Sequence, residues 1–151
     1  MGYEQQLDDA KRASTLQVLF KAARLLNDEA LARLSERTGV QVRPSHAALF
    51  PHIDLGGTRI TEVARRMGIT KQAVSQLVAD LEAMGTLERV PDPADGRARL
   101  VRFTAAGRAG LLDGLGVLGE VASSYEDALG ADGLATLHDL LTKLLAEAER
   151  R

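Results

Sequence analysis

The architecture of this chain follows from one stretch, DPADGRARLVRFT, at residues 92–104. Two aspartates, a proline and a glycine stand close together at its start, and tight turns select these residue types. After the turn, arginines are interleaved with apolar residues as far as Phe103. We therefore predict a β-hairpin that exposes Arg97 and Arg99 at its tip. Because such a tip contributes little to a hydrophobic core, it favours contact with something anionic.

Two short helices joined by a tight turn are predicted just before the hairpin. Thr61 is the expected N-cap of a helix over 62–67, and Thr70 is the expected N-cap of a second helix that runs to about Met84. The second helix has a buried stripe with apolar residues three or four positions apart. These residues are Val74, Leu77, Val78 and Leu81. Together the two segments predict a helix-turn-helix.

The outward face of the second predicted helix is polar or small, which suits entry into a DNA major groove. A glutamine can bond adenine at two atoms, and a lysine can reach guanine or a phosphate. The hydroxyl and backbone of Thr70 can donate to a phosphate at the start of the helix. The candidate DNA-binding residues on this helix are Thr70, Lys71, Gln72, Ser75 and Gln76. The alternative is a solvated helix face, but the arginine-tipped hairpin that follows favours a winged helix.

Residues 45–110 resemble the MarR family of bacterial transcription regulators. The matching segments are TEVARRMGI (61–69), TKQAVSQLV (70–78), LEAMG (81–85), DPADGR (92–97) and the exit through Leu100, Thr104 and Gly107. The resemblance implies that Arg97 enters the minor groove and that Asp95 braces it. Arg99 is expected to contact a phosphate or to brace the hairpin; the alternative for both arginines is a solvated tip.

Long apolar helices are predicted on both sides of this motif. One covers about residues 7–36, and a short one starts near Pro44 and is expected to kink or stop near Pro51. A third short strand is predicted at 58–60. After Thr104, which is the expected N-cap, a glycine-containing helix is predicted to run to about Leu129, and a last helix follows the break at Gly130.

We predict a mainly α fold with a small β-wing, as a single domain over residues 1–151. The winged helix occupies about 44–103, and the helices at about 7–37 and 104–150 form a dimerisation region. Since the terminal helices carry more apolar surface than the small lobe can cover, a homodimer is expected. Such a dimer would place two recognition helices about 34–36 Å apart, one turn of DNA.

The net charge of −2 is unevenly distributed. Between residues 58 and 108 there are nine Lys and Arg against six Asp and Glu, a charge of +3, while the remainder carries −5. The basic excess therefore lies on the predicted DNA-binding lobe. The chain has no cysteine, no leader-like start and no apolar run of membrane length, so a cytoplasmic protein with no membrane partner is expected.

The residues give little indication of catalysis or metal binding. His46, His52 and Asp54 form a weak candidate metal cluster, because the two histidines lie six positions apart and no cysteine accompanies them. Neither a nucleophile elbow nor a glycine-rich phosphate loop is present in the sequence. We expect no enzyme activity, no metal and no cofactor.

The resemblance also implies a small-molecule effector, often an aromatic or phenolic anion, between the helical region and the DNA-binding lobe. Candidate contacts, by position only, are Phe20, Arg24, Arg43, His46, Phe50 and Leu115. Arg24 or Arg43 is the expected partner of a carboxylate. The alternative is core packing with no ligand.

The resemblance therefore implies a sequence-specific regulator that binds double-stranded DNA. The expected form is a homodimeric repressor on a pseudo-palindromic operator, released by its effector; repression rather than activation rests on the resemblance alone. The alternative is a winged-helix module that binds a protein partner and not DNA.

Overall fold

A computed structural model describes residues 2–151. Its elements, in chain order, are α1 (Tyr3–Ala13), α2 (Thr15–Thr38), α3 (Pro44–Ala47), a 3₁₀ turn (Phe50–His52), β1 (Thr58–Arg59), α4 (Ile60–Met67), α5 (Lys71–Ala83), β2 (Leu87–Asp92), β3 (Asp95–Phe103), α6 (Ala105–Ser123), α7 (Glu126–Leu129) and α8 (Gly133–Glu149). This order confirms the predicted mainly α fold with a small β-wing.

The predicted hairpin is the antiparallel pair of β2 and β3, which we call the wing. Leu87 pairs with Phe103 at its base and Asp92 with Asp95 at its tip, with a register shift next to Pro91. The predicted third strand pairs with the other side of β3, so the sheet order is β1-β3-β2. Because β1 pairs with β3, the sheet holds the wing beside the start of α4.

The core of the winged helix lies between α4, α5 and the sheet. The predicted stripe of α5 is buried at Val74, Val78 and Leu81, while Leu77 is partly buried. Phe50 and Phe103 meet edge to face, with ring centroids 5.7 Å apart at 65°, a favoured aromatic geometry. This core fixes the angle between α5 and the wing.

Two of the three predicted threonine caps are confirmed. The Thr70 hydroxyl accepts the N–H of Ala73 at 3.1 Å, and the Thr104 hydroxyl accepts the N–H of Gly107 at 2.9 Å. The prediction for Thr61 is wrong, because α4 begins at Ile60, directly after β1. Because β1 runs directly into α4, no threonine side chain caps this helix.

Two long helices are shorter than predicted. The first is divided at Ser14, whose backbone is extended and whose hydroxyl accepts the N–H of Gln17 at 3.4 Å. The other ends at Ser123, and the Ser124 hydroxyl donates to the carbonyl of Val121 at 2.6 Å. Both interruptions have the same cause, since a serine side chain can replace a helical backbone partner. The early stop near Pro51 and the break at Gly130 are confirmed.

α2 packs along α6 in a second, smaller core made by Ala30, Val117 and Val121. Arg37 spans the two helices with a bidentate bond to Glu120, at 3.0 and 2.7 Å. By contrast, α8 buries none of its residues although it carries five exposed leucines. These are Leu137, Leu140, Leu141, Leu144 and Leu145. Within residues 2–151, no helix has the length and apolarity needed to cross a membrane.

Candidate nucleic-acid interface

A cleft of about 440 Å³ lies between the start of α5 and the wing. Its lining residues are Arg59, Ile60, Thr61, Lys71, Ser75, Arg89, Arg97, Ala98 and Arg99. Five of these nine side chains are cationic, and none is acidic. We call this surface the basic cleft. It can attract a polyanion along its length.

The structure brings four of the predicted DNA-binding residues together in the basic cleft. Lys71 and Ser75 come from α5, and Arg97 and Arg99 come from β3. The other predicted residues of this helix are exposed, with Thr70 as the N-cap of α5 and Gln72 and Gln76 within it. These three do not line the cleft.

The cations of the basic cleft differ in their partners. The Arg59 Nε donates to Asp92 Oδ2 at 2.7 Å, and Arg89 Nε lies 3.3 Å from Glu82 Oε2. Within residues 2–151, Lys71, Arg97 and Arg99 have no carboxylate oxygen within 4.0 Å. These three side chains can therefore pair with phosphates, and no internal ion pair has to be broken first.

Asp92 braces the wing, a role that the sequence analysis did not assign to this residue. The Asp92 side chain is 7% exposed, and it accepts the backbone N–H of Ala94 at 2.8 Å as well as the Arg59 guanidinium. The Ala94 hydrogen bond, and then the one from Arg59, lower the pKa of Asp92 below its ordinary value. This carboxylate therefore ties β1 to the hairpin turn.

Asp95 acts on the backbone of the turn. Its Oδ1 accepts the backbone N–H of Arg97 at 3.1 Å, and its Oδ2 lies 3.9 Å from Arg59 Nη2. The Asp95 side chain thus fixes the backbone just before Arg97 but does not pair with the Arg97 guanidinium. The alternation of β3 then places Arg97 and Arg99 on the same face as Val101. The Arg59–Asp92 pair was missed because it joins residues 33 positions apart.

A local network of ion pairs holds α4 in place next to the basic cleft. Hydrogen bonds from Arg65 first, and then from Arg66, lower the pKa of Glu62 to about 2. Arg66 also forms two 3.0 Å bonds to Asp54 and donates to the carbonyl of His52 at 3.1 Å. Arg66 therefore has a structural role, holding the first helix of the motif against the preceding loop.

An apolar cavity of about 430 Å³ lies between α2, α3 and α6. Phe50 and Leu115 line it, as predicted for a ligand site, and Asn27 is its one polar side chain among the lining residues. The full lining is Asn27, Ala30, Leu31, Leu34, Val42, Ala47, Phe50, Pro51, Gly110, Leu111, Gly114, Leu115 and Leu118. No cationic side chain of residues 2–151 is among them, so the lining offers no positive charge to pair with a carboxylate.

The structure places the other four ligand candidates elsewhere. Phe20 is exposed on α2, and Arg24 bonds Asp28 at 3.3 Å one turn away. Arg43 bonds Asp80, and His46 is buried next to the same carboxylate. Both nitrogens of His46 thus have partners within the protein. Within residues 2–151, no three His, Cys, Asp or Glu side chains are grouped so that they could hold a metal.

Comparison with known proteins gives matches of several kinds. Residues 38–98 match the model of the MarR family. The LexA repressor of Deinococcus radiodurans is 39% identical over 67 residues, which cover 44% of this chain and only 30% of that protein. The transcriptional regulator Tm0710 from Thermotoga maritima is 26% identical, with a TM-score of 0.64 over 89% of this chain and 93% of that one. Wild-type MarR from E. coli in its apo form shares the fold, with a TM-score of 0.68 and 23% identity over 87% of this chain and 98% of that one.

Proposed function

Since this chain carries a MarR-family winged helix, we propose that it is a sequence-specific transcription regulator that binds double-stranded DNA. The basic cleft is the observation that carries the proposal. Lys71, Arg97 and Arg99 converge there from two elements and have no carboxylate partner within residues 2–151. α5 supplies a polar face of the size that a major groove admits. The tip of the wing supplies an arginine of the kind that enters a minor groove.

The proposed form is a homodimer assembled through the terminal helices. α8 exposes five leucines between Leu137 and Leu145, and Leu112, Leu115 and Leu118 are exposed on α6. Apolar area of this extent favours burial against a second subunit. Sedimentation equilibrium is expected to give twice the chain mass of 16.2 kDa. A mass of one chain at the concentrations used for DNA binding would contradict this form.

Repression is the proposed outcome of binding, on a pseudo-palindromic operator. Two relatives support it by name, the LexA repressor and the Multiple Antibiotic Resistance Repressor MarR. A dimer seated over a promoter would exclude polymerase from it. A reporter gene placed behind the selected operator is expected to be silenced by the protein, whereas increased reporter expression would indicate an activator.

Gln72→Ala is expected to relax sequence preference more than it lowers non-specific affinity. Gln72 is exposed on the first turn of α5 and carries no charge, so its loss removes a base contact and leaves the phosphate contacts in place. The measurement compares the binding of wild type and variant to an operator and to a scrambled duplex. Lys71→Ala is the matched control and is expected to weaken binding to both duplexes. An equal loss on both duplexes for Gln72→Ala would make Gln72 a backbone contact.

We propose further that the effector is a neutral apolar molecule seated in the apolar cavity. Burying an unpaired carboxylate costs several kcal/mol or more, and none of the described residues that line this cavity is cationic. The proposal therefore departs from the aromatic anion that the resemblance implied. Such a ligand would release DNA only if it bound more tightly to a dimer with the wrong lobe spacing.

Naphthalene is expected to raise the melting temperature of the protein, and 2-naphthoate is not. The two probes share a ring system and differ in charge. Gly114→Leu is the control, since a Cβ at Gly114 meets no atom of residues 2–151 within 4 Å and a larger side chain would fill the cavity. That variant should lose the response to naphthalene. Stabilisation by 2-naphthoate alone would contradict a neutral effector.

A further inference from the structure

We propose that Asp80 determines the base preference of Gln76 by holding the glutamine amide with its oxygen toward the DNA. The inference rests on the proposed DNA-binding function and deepens it. It concerns a chain of hydrogen bonds that starts at α3, passes through a buried histidine, and ends on the exposed face of α5. Asp80 is a positioning residue in this scheme, and Gln76 is the residue that reads the base.

The chain begins at His46, which is 1% exposed. Its Nδ1 accepts the backbone N–H of Arg43 at 3.2 Å, so the proton of the neutral ring is on Nε2. Nε2 lies 3.2 Å from Asp80 Oδ2 and donates to it. The Arg43 guanidinium donates to the same oxygen, and Arg43 Nη2 lies 2.8 Å from the histidine Nε2. Two donors therefore converge on one oxygen of Asp80.

The other oxygen of Asp80 faces Gln76. Oδ1 lies 3.2 Å from the glutamine Nε2, one helical turn away on α5. A carboxylate only accepts hydrogen bonds, so the glutamine must turn its NH₂ group toward it. Hydrogen bonds from His46 first, and then from Gln76, lower the pKa of Asp80 below its ordinary value, which keeps it an acceptor. The glutamine Oε1 is then the atom without a partner among residues 2–151.

This orientation favours a base that presents a hydrogen-bond donor. An unrestrained glutamine offers a donor and an acceptor together and bonds adenine at N6 and N7. With its amide nitrogen engaged by Asp80, Gln76 offers chiefly an acceptor. The exocyclic amino groups of adenine and cytosine can donate to it, whereas guanine O6 and thymine O4 only accept. The geometry thus predicts adenine or cytosine under Gln76.

Asp80→Asn is expected to invert this preference. The asparagine keeps the shape of the aspartate but has one acceptor and one donor. The histidine and the arginine require the acceptor, so the new NH₂ group must face Gln76. The glutamine amide then turns its oxygen inward and presents NH₂ to the DNA, where guanine or thymine accepts from it.

The test is selection of bound duplexes from a randomised pool by wild type, Gln76→Ala and Asp80→Asn, followed by sequencing. Gln76→Ala identifies the base position that residue 76 reads, because preference there disappears. Wild type should enrich adenine or cytosine at that position, and Asp80→Asn should enrich guanine or thymine on the same strand. The expected change is roughly fivefold or more, the discrimination that one good base contact provides. Preferences at the other positions should stay unchanged, which a merely structural loss would not produce.

The possible outcomes distinguish a failure of this inference from a failure of the DNA-binding function on which it rests. If wild type enriches no sequence, the DNA-binding proposal itself fails. If wild type enriches a sequence but Asp80→Asn gives the same profile, or Gln76→Ala changes nothing, the role of Asp80 is overturned. If circular dichroism shows that Asp80→Asn does not fold, wild type is titrated instead with a modified duplex. In this duplex the base that Gln76 reads lacks its exocyclic amino group. Wild type should then bind roughly fivefold more weakly or worse, with Gln76→Ala indifferent; equal binding by wild type would overturn the inference.

Discussion

Gly107→Ala is expected to lower the free energy of unfolding by about 3 kcal/mol, at the upper end of the usual cost of overpacking. A Cβ at Gly107 would lie 2.0 Å from the carbonyl oxygen of Thr86. That oxygen is held in place, since it accepts the backbone N–H of Thr104 at 3.1 Å. Neither α6 nor the base of the wing can move without breaking the hydrogen bonds of the Thr104 cap. The added methyl group must therefore push α6 away from the wing.

Urea denaturation measures this effect, and the protein concentration is held fixed because the proposed subunit association would also contribute to stability. Gly110→Ala is the matched control, one turn further along the same helix, where a Cβ meets no atom of the described chain within 4 Å. It should stabilise the protein by about 0.5–1 kcal/mol through helix propensity. If both variants gained stability, α6 would not approach the wing this closely.

Arg97→Ala is expected to weaken operator binding by about 1–3 kcal/mol, which corresponds to roughly 5-fold to 150-fold in Kd. The Arg97 guanidinium is exposed in the basic cleft and has no carboxylate partner within residues 2–151, so nothing inside the protein compensates for its removal. The hairpin itself should persist, since Asp95 holds only the backbone N–H of residue 97. Fluorescence anisotropy with a labelled operator measures the change.

Arg102→Ala is the control for this second variant. It removes the same charge from the same strand, but Arg102 belongs to the opposite face of β3 and bonds Glu88 at 2.8 Å. Its loss should change operator affinity by less than about 0.5 kcal/mol, as for most surface substitutions. Equal losses for the two variants would mean that the protein responds only to total charge and that the wing makes no specific contact.

The local features of this fold could be predicted from sequence because each depends on residues close together in the chain. The turn chemistry around Gly96, the cap at Thr70 and the stripe of α5 all involve neighbours within one or two turns. The same local patterns mislead where a side chain competes with the backbone for a hydrogen bond. Ser14 interrupts an unbroken helical periodicity, since apolar spacing carries no information about a serine that caps the following helix.

The features that sequence reasoning missed are contacts between distant segments. Arg59 reaches Asp92 only because β1 pairs with β3, and His46 reaches Asp80 only because α3 packs against α5. The ligand candidates rest on position in the sequence alone, and of these six residues only Phe50 and Leu115 line the apolar cavity between α2, α3 and α6. A helical face can be predicted from periodicity, but its partner depends on the crossing geometry of the whole domain.

An anisotropy titration of the wild-type protein against a selected operator and a scrambled duplex of equal length, each at two salt concentrations, tests sequence-specific DNA binding most directly. We expect tight binding of two chains to the operator, weaker binding to the scrambled duplex, and a steep fall of both affinities with salt as phosphate contacts are screened. Equal affinity for the two duplexes, or no binding to either, would contradict a sequence-specific regulator and favour a winged helix that serves a protein partner.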